Sequence, residues 1–172
     1  MEKGVMEEKT NVMRLLDGKK IPYTPHDYTA SGAVAGADVA AALGEDPGSV
    51  FKTLVTVSRT KKYYVFMVPV CGELDLRKAA AAVGEKSVAM IPQRDLLPLT
   101  GYVHGGCSPI GMKKPFPVTI DKSCEAYETV CFSAGRVGSQ VQLRVADLAR
   151  MVRLRTADIA AAGGILTIRV KK

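Results

Sequence analysis

Closely spaced metal ligands are what this chain most plainly lacks. Its four cysteines, Cys71, Cys107, Cys124 and Cys131, form no CxxC pair, and only His26 and His104 are available to assist them. The spacing of a structural zinc site is missing, and in a reducing compartment each cysteine reads as a small buried hydrophobe. No apolar run approaches the roughly 18 to 20 residues that a membrane span needs. The amino terminus, MEKGVMEEKTNVMRLL, has neither the apolar block nor the small-residue cleavage site of a secretory signal, and its acidic residues argue against a transit peptide. We therefore expect a cytoplasmic protein without a membrane partner. Walker A, GxGxxG and HExxH sequences are also absent, so nucleotide hydrolysis, dinucleotide binding and zinc proteolysis lack their usual mechanical parts.

Acidic residues thin out towards the carboxy terminus. From Arg136 to Lys172 there are eight Lys or Arg against two acids, Asp147 and Asp158, within a net charge of +7. A surface of that kind suits a polyanion, because each neutralised phosphate releases condensed counterions. No aromatic residue is interleaved with this stretch, so phosphate contact is favoured over a base-stacking platform.

What is present fits one globular domain: 172 residues, 47% apolar and 24% charged, with no internal repeat. The pattern predicts helices over Glu7–Asp17, Ala35–Leu43, Leu76–Val83 (with Asp75 as N-cap) and Ala146–Val152. Strands are expected at Val50–Ser58, Tyr63–Val70, Val88–Ile91, Phe116–Ile120, Glu128–Phe132 and Val141–Arg144, with Ile21–Tyr28 demoted to an edge by Pro22 and Pro25. Gln93–Leu97 reads as a helical turn ended by Pro98, and Ser133–Gly138 as a glycine-bearing loop. The short link between Val50–Ser58 and Tyr63–Val70 favours an antiparallel hairpin. The fold class is α/β (α+β): a single compact domain with a mixed, mostly antiparallel sheet packed with helices.

Candidate chemistry begins with SVFKTLVTV, residues 49 to 57. Strand alternation puts Lys52 on one face between Val50 and Leu54, with Phe51 and Thr53 on the other. A lysine so placed is either an edge gatekeeper or the cation of a pocket. In TGYVHGGCSPIG, residues 100 to 111, Gly105 and Gly106 allow close backbone approach and N–H groups turned towards an anion. An ordinary glycine turn reads the same way. Ser108 is not in a GxSxG elbow, and Pro109 has no N–H to supply after a nucleophile. Cys107 with His104 is a conceivable thiol and base, but their spacing fixes no geometry. Arg136, in SAGRVG, could hold a phosphate bidentately.

Four ordered blocks, VFKTLV (50–55), VPVCGELDLRKAAAAVG (68–84), TGYVHGGCSPIG (100–111) and FSAGRVGSQVQL (132–143), together resemble the YbaK/EbsC family of aminoacyl-tRNA deacylases, which are similar to the editing domain of bacterial prolyl-tRNA synthetases. The resemblance runs from about Asn11 to Ala160, leaving residues 1–10 as an extension and 161–172 as a basic tail or added strand. It implies deacylation in trans of mischarged tRNA, Cys-tRNA(Pro) first, with aminoacylated tRNA and prolyl-tRNA synthetase as partners, and with neither cofactor nor metal. It implies that Lys52 is the essential pocket lysine, Gly105 the functional loop glycine and Tyr28 the tyrosine beside the pocket, with Ser108 and Pro109 walling it. Phe51, Thr53, Gly106, Ser133, Gly135 and Gln140 complete the expected substrate-binding set, and Arg136 the tRNA contact. In Cys-specific relatives the substrate's own thiol is the implied attacking group. One departure stands out: Gln140 occupies the place of an aspartate in the Cys-specific type. An amide can only hydrogen-bond where a carboxylate could act as a base, so a relative that binds aminoacyl-tRNA without hydrolysing it is the alternative.

Overall fold

The computed structural model describes residues 8–32 and 36–161. Glu7 and the basic run Arg169, Lys171 and Lys172 lie outside them. Helix α1, Asn11–Gly18, begins later than the sequence pattern suggests because Thr10 caps it: its backbone is extended and its Oγ1 accepts the Met13 N–H at 3.2 Å. Val12, Met13 and Leu16 form its buried stripe. The short strand β1, Thr24–Asp27, is followed by α2, Gly36–Leu43, and then by β2, Phe51–Ser58, and β3, Tyr63–Pro69. These two strands make the expected hairpin, with Lys52 opposite Val68.

Helix α3, Leu76–Ala82, starts at Asp75, whose carboxylate accepts the N–H groups of Arg77 and Lys78. Strand β4, Val88–Met90, leads to α4, Leu96–Thr100. Pro98 does not end that helix, as its position suggested, but sits inside it; in a first turn the missing N–H has no intrahelical acceptor to lose. Strand β5, Val118–Asp121, precedes the hairpin of β6, Val130–Arg136, and β7, Ser139–Leu143. The glycine-bearing stretch after Phe132 is thus strand rather than loop, carried through to Arg136 by a register shift between Ser133 and Arg136. Helix α5 is confined to Val145–Leu148, and β8, Leu154–Ala157, is an additional strand.

The strands form two sheets, in orders β1-β7-β6 and β4-β2-β3-β5-β8, with β3–β5 and β5–β8 parallel and the other pairings antiparallel. A bridge between Val50 and Cys131 links them. Both faces of the larger sheet are covered, which explains the continuous burial of Val65 to Val68. Val65 and Met67 face the main core with Phe51, Ile120 and Phe132, while Phe66 and Val68 pack with Ala79, Ala80 and Ile159. In the smaller sheet Val130, Phe132 and Val141 join the main core. By alternation, Cys131, Ser133 and Gln140 are left for the other face.

Candidate active site

Strand β4 pairs only with Thr56, Val57 and Ser58, so the first half of β2 is left unpaired by β4. A cavity of about 240 Å³ opens beside it. It is lined by Phe51, Lys52 and Thr53 of β2, by Gly105 with His104 and Cys107 of the following loop, by Ser133 and Gln140 of the β6–β7 hairpin, and by Tyr28. Val39, Val50, Val70 and Leu96 add apolar wall. Residues more than eighty positions apart therefore meet in one place, and the edge and pocket readings of Lys52 coincide there.

Lys52 brings a positive charge to this lining, which contains no carboxylate among the described residues. Its Nζ lies 3.9 Å from Glu73, and the two side chains are 32% and 81% exposed, so that pairing is a solvent-screened one. Thr53 Oγ1 is buried without a hydrogen-bond partner, the one such side-chain atom among the described residues. An unpaired buried hydroxyl costs roughly 1–3 kcal/mol. Gly105 has φ +89°, a conformation that glycine adopts without strain. Its N–H makes no backbone hydrogen bond among the described residues, whereas that of Gly106 is spent on the Val103 carbonyl at 2.9 Å.

Several expected site residues stand off the cavity lining. A Cβ on Gly106 would lie 3.0 Å from the Cα of Arg136 and from the N of Val137. Gly106 is therefore what lets the loop close onto the β6–β7 turn. Ser108 is fully buried, its Oγ accepting the Ile110 N–H, and Pro109 is buried beside it. Gly135 backs onto Tyr102 and Val12. Arg136 is exposed and lines a second cavity of about 200 Å³, with Lys9, Tyr23 and Asp27.

The buried cysteine thiols are poorly activated for attack. Burial pushes the Cys107 thiol up to about 12, leaving almost no thiolate near neutrality although His104 shares the cavity. Burial likewise pushes Cys131 to about 12 and Cys124 to about 11. Cys71 departs from the buried-hydrophobe expectation and is exposed; all four are free thiols.

Sequence reasoning missed two residues behind the wall. With its amide assigned from its hydrogen-bonding partners, Gln140 donates from its nitrogen to Glu45 Oε2 and Oε1 at 3.2 and 3.3 Å. His26 Nε2 lies 3.8 Å from the same carboxylate. The pairing of His26 with Gln140 across β1 and β7 could have been read from an antiparallel register, but Glu45, in a Gly-Glu-Asp-Pro-Gly turn, carries no local signal.

The aminoacyl-tRNA editing domain family matches residues 31–151. A protein named as a proposed Cys-tRNA(Pro)/Cys-tRNA(Cys) deacylase, EbsC, of Enterococcus faecalis (strain ATCC 700802 / V583) is 42% identical over 144 residues, covering 83% of this chain and 88% of its own. Among solved structures, a proposed trans-editing enzyme for prolyl-tRNA synthetase superposes with a TM-score of 0.76 at 22% identity, over 90% of this chain and 99% of that one. The hypothetical protein APE2540 gives 0.78 at 19% identity, over 88% and 100%. These two establish likeness of fold. On the family match and the extent of the sequence identity, the chain belongs to the aminoacyl-tRNA editing domain family.

Proposed function

We propose that this protein is a trans-acting editing hydrolase that cleaves the ester of a mischarged tRNA, with Cys-tRNA(Pro) as its substrate. The observation that carries the reading is the meeting of Lys52 and Gly105 on one cavity whose own thiol, Cys107, is held protonated by burial. At about 240 Å³ the cavity is smaller than the ~300–1,000 Å³ of typical ligand pockets, which suits a small acyl group.

In this reading the side chain of the amino acid enters the apolar part of the cavity and the tRNA 3′ end approaches Lys52. Attack on the ester carbonyl by water, or by the substrate's own thiol, gives a tetrahedral oxyanion. The Gly105 N–H and the Lys52 ammonium stabilise that charge, and the C–O bond to the ribose breaks as the ribose oxygen takes a proton. Water yields the free amino acid; the thiol yields a cyclic thioester. Arg136, next to the cavity loop through the Gly106 contact, takes a tRNA phosphate. The partner beyond the tRNA is prolyl-tRNA synthetase, whose selection of a small amino acid by pocket size alone is limited to about 10- to 200-fold per methylene.

The test is incubation with Cys-tRNA(Pro), Ala-tRNA(Pro) and Pro-tRNA(Pro), following loss of the aminoacyl ester. Selective loss from Cys-tRNA(Pro) supports the proposal. Binding of aminoacyl-tRNA without loss from any of the three overturns it in favour of a silent binder.

A further inference from the structure

Glu45 has no part in the chemistry outlined above, yet its side chain is only 10% exposed. Three groups from three other elements face it: the Gln140 amide on β7, the Cys131 thiol on β6 at 3.5 Å, and His26 Nε2 on β1 at 3.8 Å. His26, Glu45 and Cys131 do bring potential ligand atoms within 4.8 Å of one another. Their valences are nevertheless taken up by the protein: His26 Nε2 is 2.7 Å from Gln142 Oε1, the carboxylate receives the Gln140 amide, and the Cys131 thiol keeps its proton and donates it. These contacts join the cluster into one hydrogen-bond network.

That network determines which end of Gln140 meets the cavity. An amide is a donor at one end and an acceptor at the other. With the nitrogen held by both oxygens of Glu45, Oε1 is the amide's remaining polar atom, on a residue that lines the cavity. An aminoacyl ester carries an α-ammonium group that can only donate, and the Lys52 ammonium repels it. A fixed carbonyl oxygen on the wall of the cavity answers that need.

We propose that Glu45 is a positioning residue that locks the Gln140 amide with Oε1 towards the cavity, so that the site selects acyl groups bearing a free α-ammonium. The inference rests on the editing-hydrolase reading for the identity of the ligand. Its pH dependence follows from the same contacts. Burial raises the Glu45 carboxyl above its ordinary range, against the opposing pull of the Cys131 hydrogen bond and of His26. Only the carboxylate accepts both amide protons, so the lock loosens as pH falls through that raised value.

The test uses the full chain and measures affinity for a non-hydrolysable 3′-aminoacylamido-adenosine and its N-acetylated counterpart, so it does not depend on turnover. Wild-type protein is expected to prefer the free amine and to lose that preference in acid. Glu45→Ala weakens binding of the free amine by roughly 10-fold, the scale of a hydrogen bond to a charged group, and abolishes the acid transition. Glu45→Gln keeps part of the affinity with no transition. In a Gln140→Ala background Glu45→Ala adds nothing, because its effect passes through the missing amide. An equal loss from Glu45→Ala in both backgrounds, or an unchanged acid transition in Glu45→Gln, overturns the proposal. If Glu45→Ala does not fold, the Glu45→Gln titration decides alone. Failure of the wild-type protein to deacylate any tRNA, with these affinities as expected, would overturn the hydrolase reading and leave the lock standing.

Discussion

Removing the Lys52 charge should separate catalysis from stability. In Lys52→Ala the ion pair with Glu73 is lost, but at 3.9 Å and with its partners 32% and 81% exposed such a pair contributes about 0–1 kcal/mol. Alanine is also the poorer strand residue, a difference within the ~1 kcal/mol span of strand propensities. At roughly 2–4 °C per kcal/mol for a chain of this size, Tm should fall by no more than a few degrees. The rate is another matter. Loss of one preorganised group that stabilises an oxyanion typically costs about 10²- to 10³-fold, or about 2.7–4 kcal/mol. Single-turnover deacylation of Cys-tRNA(Pro) at saturating enzyme, run beside a thermal melt of the same sample, measures both. A variant that melts as expected but deacylates at the wild-type rate would reduce Lys52 to an edge device and refute the reasoning.

Gly105→Ala should impair turnover while preserving the fold: the new Cβ makes only an ordinary contact with Val137 at 3.4 Å, but at φ +89° an alanine is strained by ~1–2 kcal/mol and the N–H moves, which deacylation rates and melts will resolve. Cys107→Ala should retain deacylation, since a thiol held at about 12 is not the nucleophile; alkylation followed by mass spectrometry near neutral pH should label Cys71 and spare Cys107. Asp121 is buried, which alone raises its carboxyl, yet N–H groups from Ile159, Ser123 and Ala160 bring it below its ordinary range. Its contribution to stability is thus present above that range and lost as pH falls through the lowered value, and Asp121→Ala should cost about 2–3 kcal/mol in a denaturant titration at neutral pH. Arg136→Ala should weaken tRNA binding for every acyl group alike and lower the salt-dependence slope by about one.

Legibility from sequence followed the range of the interaction. The β2–β3 hairpin and the Asp75 cap were readable because each depends on residues close in the chain. The β6 strand after Phe132 was not, because Gly135 imitates a loop until the register shift between Ser133 and Arg136 is seen. Strand β8 was missed since its parallel pairing with β5 is a long-range contact, with alternating burial too weak to announce it. At the site, the quoted family blocks pointed to Lys52, Gly105 and Gln140, which do meet on one cavity. The neighbouring Gly106, Ser108, Pro109 and Gly135 look alike in sequence but hold the loop and hairpin from behind. Glu45 escaped notice because burial of a turn residue beneath three sheet side chains has no local signature.

The central claim, that the acyl bond is cleaved without a nucleophile from the protein, is tested most directly by rapid quench of the protein with radiolabelled Cys-tRNA(Pro) and intact-mass analysis of the quenched chain. We expect the label to pass from tRNA to free cysteine or its cyclic thioester with no cysteinyl adduct on the protein at any time point. A transient covalent adduct on Cys107, Ser133 or Thr53 that forms and decays at the rate of deacylation would contradict it.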